Sequence, residues 1–269
     1  MRIGVYRVRP GAKVDLARWD PEDRSVIGKR KAAAHARLES LTRKLDQQQE
    51  LLYAQGRHKL LVVLQAMDTA GKDSTIRYVF EGVNPQGVRV VGFRAPTQEE
   101  LARDFLWRVH SKVPCQGEIV IFNRSHYEDV LITRVNGWVD SKTCRARYEQ
   151  INAFEKLLAD TGTTILKFYL HISKDEQKKR LLERRDDPTK QWKFNPADLK
   201  ARDQWEDYMR AYAGALSATS TDYAPWYVVP ANSKLQRNLI VAQTITDALA
   251  GLKMHYPPAL PEVKYTLIK

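Results

Sequence analysis

A run of residues that could bind phosphate follows the first strongly apolar segment of the chain. Residues 61–75 read LVVLQAMDTAGKDST, and positions 66–73 follow the spacing of the phosphate loop, G-x-x-x-x-G-K-[ST]. Gly71 would let the backbone approach a phosphate closely, and the start of the helix predicted to follow favours an anion. Lys72 would place its charge on the phosphoryl group that moves. The segment therefore predicts a phosphate site between a strand and a helix.

Two positions of this loop depart from the pattern. Ala66 stands at the first glycine, and Asp73 stands at the Ser or Thr whose hydroxyl usually holds Mg²⁺. Asp68 offers a carboxylate inside the loop instead, and a carboxylate among phosphates is repelled unless a cation lies between them. The loop therefore predicts bound Mg²⁺ near Asp68. The motif alone leaves open a chance Gly-Lys pair in an ordinary loop.

A second polar group follows the apolar run at residues 118–123. Asn123 stands where an acid would bind magnesium in the usual pattern, and Arg124 could hold two phosphate oxygens at once. Glu128 and Asp129 could bind Mg²⁺ through water or position an acceptor, although acids favour any helix start. The neighbouring His126 is better explained as structural.

The apolar run at residues 88–94 ends in Arg94, which would point into the same crevice because carboxyl ends of parallel strands share one edge. Pro96 marks a turn, and Thr97 is a candidate helix cap. The alternative for Arg94 is a surface arginine that pairs weakly with the acidic start of that helix.

A basic, polar segment at residues 184–200 interrupts two helical patterns. Its position after the fourth predicted strand favours a lid that closes over phosphates and excludes water. Its basic residues alternate with aromatic ones, which also fits nucleic-acid binding. A solvated helix with charge pairs is a third alternative.

The elements that must position these residues alternate between strands and helices. Five apolar runs look like strands buried on both faces of a parallel sheet: 59–66, 88–94, 118–123, 164–172 and 226–230. Helical patterns cover 29–54, 72–82, 98–111, 142–160, 174–186, 196–216 and 232–252. The alternation predicts an α/β fold with a parallel sheet.

Composition narrows the class of protein. The 269 residues suffice for a large core without disulfides, and two cysteines favour a reducing compartment. The sequence predicts no signal peptide and no membrane span, so we expect a cytoplasmic protein. The net charge of +12 suggests a polyanionic partner, and a solvated surface explains it equally well. Lys29, Arg30 and Lys31 would extend a polyanion channel or simply begin a solvated helix.

Five motifs, in this order, resemble the family-2 polyphosphate kinases: MDTAGKDST at 67–75, FRAPTQEE at 93–100, IVIFNRSHYEDVL at 119–131, KKRLLERRDDPTKQWKF at 178–194 and APWYVVPANSK at 224–234. The resemblance implies a P-loop kinase-like three-layer sandwich, similar to thymidylate kinase, with a five-stranded parallel sheet. It implies an N-terminal helical extension at 1–58 and a kinase domain at 59–269 with a helical lid at about 184–200. It also implies Mg²⁺-dependent phosphoryl transfer between inorganic polyphosphate and adenine or guanine nucleotides.

The resemblance also assigns roles. Catalytic residues would be Asp68, Lys72, Asn123, Arg124 and Glu128. Phosphate and polyphosphate would contact Ala70, Gly71, Lys72, Asp73, Arg124, Arg184, Arg185, Lys190 and Lys193. The nucleotide would contact Arg94, Pro96, Thr97 and Arg124, and Mg²⁺ would be held by Asp68 and Glu128. Family members commonly have Asp at the position of Asn123, and FNRSHYEDV is similar to the subgroup that uses both AMP and ADP.

Two alternative functions remain at this point. An ATP-dependent nucleoside monophosphate kinase would share the loop and the lid. A basic nucleic-acid-binding protein would use the charged ends of the chain, but it would explain neither Asp68 nor the ordered motifs. The family resemblance implies homodimers or homotetramers and neither a nucleic acid nor a membrane as partner.

Overall fold

The structure, a computed structural model, describes residues 3–28 and 30–265. Its centre is a sheet of five parallel strands in the order β2-β3-β1-β4-β5. The strands are β1 Lys59–Ala66, β2 Val88–Gly92, β3 Ile119–Asn123, β4 Thr163–His171 and β5 Trp226–Pro230. Each predicted strand is present, with bounds that differ by at most two residues from the predicted ones.

The central strand β1 shows why helices must cover both faces of the sheet. All its residues except Lys59 are buried, and successive side chains of a strand point to opposite faces. One group of packed helices contains α1, α2 and α10, and another contains α6 and α9. The fold is therefore a three-layer α/β structure, as predicted, and β2 is its partly exposed edge.

The helices follow the predicted patterns, except that two patterns are divided and that the short helix Ile132–Val135 lies in none of them. They are α1 Lys31–Gln55, α2 Lys72–Val79, α3 Gln98–Leu101, α4 Trp107–His110, α5 Ile132–Val135, α6 Ser141–Asp160, α7 Lys174–Asp186, α8 Ala197–Asp203, α9 Trp205–Thr219 and α10 Lys234–Gly251. The pattern at 98–111 forms two short helices, because the Asp104 carboxylate accepts from the Leu106 amide and competes with the helix. The pattern at 196–216 is also divided, at Gln204.

The N-terminal segment before α1 contains two short 3-10 helices, Ile3–Tyr6 and Leu16–Arg18, and it contributes to the core. Val8, Val14 and Leu16 join the same buried cluster as the apolar face of α1 and the strands. The boundary at residue 58 stays a prediction, and Lys29 lies outside the described residues. Between residues 3 and 265, Lys29 excepted, no helix is long and apolar enough to cross a membrane. Both cysteines are free thiols.

Candidate active site

A cleft of about 620 Å³ opens at the carboxyl ends of β1, β2 and β3. Its walls come from the loop after β1, the exits of β2 and β3, the segment at 184–200 and the start of α10. The lining residues are Asp68, Thr69, Gly71, Lys72, Asp73, Ser74, Gly92, Phe93, Arg94, Asn123, Arg124, Arg180, Glu183, Arg184, Lys190, Trp192, Lys193, Asn195, Asp198, Lys234 and Arg237. The motifs predicted from separate parts of the sequence therefore meet in one cleft.

The loop between β1 and α2 has the shape of an anion-binding turn. Gly71 adopts a left-handed conformation with φ 105° and directly precedes the first residue of α2. Thr69 also has a positive φ, 68°, which is uncommon for a residue with a side chain. Unpaired amides at the start of α2 and the positive end of its dipole would attract an anion into the turn.

Lys72 lies inside this turn rather than in solvent. Its Nζ donates a hydrogen bond to the carbonyl oxygen of Ala66 at 3.0 Å. Burial lowers the pKa of Lys72, and the negative charge of Asp68 opposes that effect. The ammonium group is thus held under the site where a phosphoryl group would lie.

Asp68 and Arg124 form the ion pair that joins the loop to the exit of β3. The guanidinium of Arg124 donates to the Asp68 carboxylate at 2.7 Å. Burial alone would lower the pKa of Arg124, but Asp68 and Glu128 outweigh it and raise the pKa. Arg124 has a positive φ of 62°, a strained conformation that aims its side chain at the loop.

The two departures from the usual loop pattern lie next to each other. Asn123 donates from its side-chain amide to the carboxylate of Asp73 at 2.6 Å. An acid at both positions would have placed two carboxylates against each other, whereas an amide and a carboxylate form a hydrogen bond. Asp73 lines the cleft with a hydrogen-bond partner on β3, and its predicted contact with phosphate stays a prediction.

Glu128 lies apart from the cleft lining. Burial raises the pKa of its carboxyl, and the charges of Arg124 and Lys72 oppose that effect. With its side-chain amide flipped, Gln65 donates a hydrogen bond to Glu128 Oε1 at 3.0 Å and accepts one from Ser125. The charges of Glu128 and Arg124 attract each other, and a metal-binding role for Glu128 stays a prediction.

Of the residues predicted to bind the nucleotide, two line the cleft and two lie outside its lining. Arg94 lines the cleft beside Phe93, and the buried Arg108 donates to the Arg94 carbonyl oxygen at 2.9 Å. Pro96 and Thr97 do not line the cleft. Thr97 instead caps α3 through a reciprocal pair of hydrogen bonds with Glu100.

The predicted lid residues divide in the same way. Arg184, Lys190 and Lys193 line the cleft, whereas Arg185 is exposed and pairs with the adjacent Asp186 at 2.7 Å. No apolar side chain between residues 184 and 200 is buried. A segment with so few core contacts opens at low cost, which suits a lid.

Some residues that line the cleft are not among the predicted site residues. Asp198, on α8, is buried within the segment predicted as a lid; burial first, and then the charge of Asp68, raise its pKa to about 6. Lys234 and Arg237 come from α10, and Arg237 hydrogen-bonds a loop residue 167 positions away. No local sequence signal marks Arg237. Asp198 lay inside the predicted lid, but its proximity to Asp68 depends on the tertiary fold.

The described side chains contain no cluster of three or more His, Cys, Asp or Glu that could hold a metal by themselves. Mg²⁺ is usually held by one or two carboxylates together with substrate phosphates. Asp68 and Asp198 both line the cleft and influence each other electrostatically. The carboxylates of Asp68 and Asp198 therefore fit a magnesium ion whose remaining ligands come from the substrate phosphates.

A left-handed glycine turn with a buried lysine, an arginine at the neighbouring strand end and a basic lid together define a phosphate-loop phosphotransferase. The model of the family Polyphosphate kinase 2 (PPK2) matches residues 28–257. The chain belongs to this family.

Relatives and solved structures agree with that assignment. The chain is 57% identical over 252 residues to an AMP/ADP-polyphosphate phosphotransferase of Meiothermus ruber, covering 94% of each chain. It is 45% identical over 276 residues to an ADP-polyphosphate phosphotransferase of Rhodopseudomonas palustris, covering 98% of this chain and 95% of the relative. The crystal structure of polyphosphate kinase 2 from Arthrobacter aurescens TC1 superposes with a TM-score of 0.91 at 48% identity, covering 95% of this chain and 91% of that one.

Proposed function

We propose that this protein transfers phosphoryl groups between inorganic polyphosphate and nucleoside mono- and diphosphates, so that AMP is converted to ADP and ADP is converted to ATP. One observation carries the proposal: the phosphate loop, the Asp68–Arg124 pair and the basic lid enclose a single cleft. Membership in the polyphosphate kinase family supports polyphosphate as the donor. The relative from Meiothermus ruber, which is named for both AMP and ADP, supports both acceptors.

The chemistry needs positioning and charge rather than a protein nucleophile. A terminal phosphate oxygen of the nucleotide is already ionised, and it would attack the last phosphorus of the polyphosphate chain in line. As the new P–O bond forms, the bond from that phosphorus to its bridging oxygen would break, and the polyphosphate chain, one phosphate shorter, would leave with that oxygen. Lys72 and Arg124 would neutralise the charge on the transferred group, and the lysines and arginines of the lid would hold the chain. Closure of the lid would exclude water, which otherwise competes as an acceptor.

Mg²⁺ would be held by Asp68 and Asp198 together with substrate phosphates. When bound, the ion would neutralise phosphate charge and fix the orientation of the reacting groups. Arg124 already pairs with Asp68 at 2.7 Å. We infer that Arg124 holds the Asp68 carboxylate in place and turns toward phosphate when substrates bind.

The test is an activity assay without ATP. Purified protein, Mg²⁺ and polyphosphate are incubated with AMP, ADP, GMP or GDP in turn, and the nucleotides are separated by ion exchange. The proposal expects ADP and ATP from AMP, ATP from ADP, and no product after the metal is removed by a chelator. Phosphorylation of AMP that depends on added ATP and is indifferent to polyphosphate would show an ATP-dependent kinase instead.

We further propose that the protein works in the cytoplasm as a homodimer or homotetramer. Family membership supports both statements. Size-exclusion chromatography with light scattering would measure the mass against the 31.0 kDa of one chain. A monomer at working concentration would contradict the oligomer.

A further inference from the structure

Arg237, on the first turn of α10, is a buried cation whose contacts include no acid. Its side chain is fully buried, and its hydrogen bonds go to Ala70, Ser74 and Asn238, all neutral groups. No ion pair of Arg237 is found in the part of the chain that the structure describes. Burial, followed by repulsion from Arg180, lowers the pKa of Arg237 to about 9, so the group is still ionised at neutral pH.

The contacts of Arg237 fix the phosphate loop from behind. Its guanidinium donates to the carbonyl oxygen of Ala70 at 3.1 Å and to Ser74 Oγ at 2.9 Å. A Cβ atom on Gly71 would lie 2.0 Å from Arg237 Nη1, so the loop backbone packs directly on the guanidinium. In a trans peptide the carbonyl and the following N–H point in opposite directions. The Ala70 carbonyl bound to Arg237 therefore turns the Gly71 N–H away from α10.

Arg180 makes a similar contact but carries a balanced charge. It donates to the carbonyl oxygens of Thr69 and Ala70 at 3.1 Å, and it pairs with Glu176 at 2.7 Å. Arg237 has no such acid, and an uncompensated charge in a protein interior is costly. Arg237 also lines the cleft, so an anion in the loop would lie close to its charge.

We propose that Arg237 is a positioning residue of the phosphate loop, and that a phosphoryl group bound at the loop is the counter-ion of its buried charge. The inference rests on the proposed function, because it takes this loop as the phosphate site. It predicts that removing the charge weakens phosphate binding. A purely structural arginine predicts a less stable free protein that still binds phosphate equally well.

Two variants separate charge from shape. Arg237→Met removes the charge and keeps most of the volume, and Arg237→Lys keeps the charge and loses the planar fork. Arg210→Gln is the control, since Arg210 is an exposed arginine of α9 that pairs with Asp207 and lies outside the cleft lining. Binding of tripolyphosphate with Mg²⁺ is measured by calorimetry, and thermal unfolding is followed with and without tripolyphosphate.

For Arg237→Met we expect the tripolyphosphate Kd to rise roughly tenfold or more, as expected for the loss of a nearby unit charge in a partly desolvated site. The increase in melting temperature on adding tripolyphosphate should shrink, although the lost hydrogen bonds to Ala70 and Ser74 lower the melting temperature of the free protein. Arg237→Lys should bind within about threefold of the unaltered protein, because it keeps the charge. Arg210→Gln should match the unaltered protein in every measurement.

Equal tripolyphosphate affinity in Arg237→Met and the unaltered protein would overturn this inference alone. So would a lower melting temperature of the free protein with an undiminished increase on adding tripolyphosphate. If Arg237→Met does not fold, Arg237→Lys decides, and a loss of about tenfold or more in its affinity would contradict a role for the charge. An unaltered protein that does not bind tripolyphosphate would overturn the proposed function as well.

Discussion

Lys72 reaches back across the phosphate loop to the carbonyl oxygen of Ala66 at 3.0 Å. Its ammonium group is buried under the turn, where it would also contact the transferred group. Lys72→Ala should lower kcat by about 10²–10³, the cost of removing one well-placed charge from a transition state. Initial rates with polyphosphate and ADP measure the effect, and Lys156→Ala, on the exposed face of α6, is the control. Near-full activity of Lys72→Ala would show that the loop does not bind the transferred group.

Residues that are contiguous in the sequence could be predicted, and residues brought in by the fold could not. Asp68, Gly71 and Lys72 were found because their spacing within one loop carries the signal. Asp198 and Arg237 were not assigned to the site, because only the packing of α8 and α10 against the loop brings them there. Arg185 was assigned to the lid by its position, although its side chain points to solvent and pairs with Asp186.

At the scale of elements, a buried ion pair between β4 and α6 also binds the segment that follows β3. Lys167 on β4 donates to the Glu155 carboxylate on α6 at 2.5 Å, and Tyr127, just after β3, donates to the same carboxylate at 2.9 Å. Burial alone would raise the pKa of Glu155, but the charge of Lys167 and the hydrogen bond with His126 outweigh it, so the pKa is lowered. His126 is fully buried beside Glu155 and lies outside the cleft lining, and its structural role stays a prediction.

Glu155→Gln should destabilise the fold by about 3–5 kcal/mol, because it leaves the buried Lys167 without a counter-charge. Urea unfolding monitored by circular dichroism measures the change. Asp160→Asn breaks an exposed pair with Lys156 on the same helix and should leave the unfolding midpoint nearly unchanged. Equal stability of Glu155→Gln and the unaltered protein would show that the pair does not hold β4 and α6 together.

A buried histidine at the end of β4 makes stability depend on pH. Burial lowers the pKa of His171 from its ordinary 6.5 to about 4, and its ring faces backbone groups of Leu16 and Trp19 in the N-terminal segment. Between these two values the unfolded chain holds more protons than the folded one, so stability falls as the pH drops. The contribution of His171 should be complete above pH 6.5 and about 2 kcal/mol smaller at pH 5.

Urea unfolding at pH 7.5 and pH 5 measures this effect. His171→Gln should lose about 2 kcal/mol less than the unaltered protein between these two pH values. His35→Gln, at an exposed position of α1, should behave as the unaltered protein does. The account of His171 would be wrong if all three proteins lost the same stability.

The strands were easier to predict than the helix ends. Each strand is an apolar run buried on both faces, and burial of that kind leaves a clear pattern in the sequence. The divided helices at 98–111 and 196–216 keep helical periodicity across their breaks, so their pattern hides the interruption. In the first, a single side chain, Asp104, takes over a backbone hydrogen bond.

At the scale of the whole molecule, substrate binding should close the lid over the cleft. Trp192 lies in the lid, lines the cleft and is 78% exposed. Tripolyphosphate and AMP together should therefore protect tryptophan fluorescence from acrylamide quenching. The protection should disappear in Trp192→Phe and persist in Trp138→Phe, because Trp138 is also exposed, at 68%, but lies outside the cleft lining. Protection that persists in Trp192→Phe would place the closure elsewhere.

The net charge of +12 takes a more specific meaning in the folded molecule. The cleft gathers lysines and arginines from the loop, the exits of two strands, the lid and α10 around a few carboxylates. Such a concave basic surface would attract a flexible polyanion of phosphates and hold it along its length. The sequence could predict the sign of the partner's charge, whereas the shape of the surface required the fold.

Direct transfer from polyphosphate to the nucleotide is the central claim, and an isotope measurement tests it most directly. Polyphosphate labelled with ³²P is incubated with unlabelled ADP, Mg²⁺ and the purified protein, without ATP. The account predicts that label appears in the γ-phosphate of ATP as the chain shortens, and that Lys72→Ala largely abolishes the transfer. ATP that carries no label, or label released only as inorganic phosphate, would contradict it.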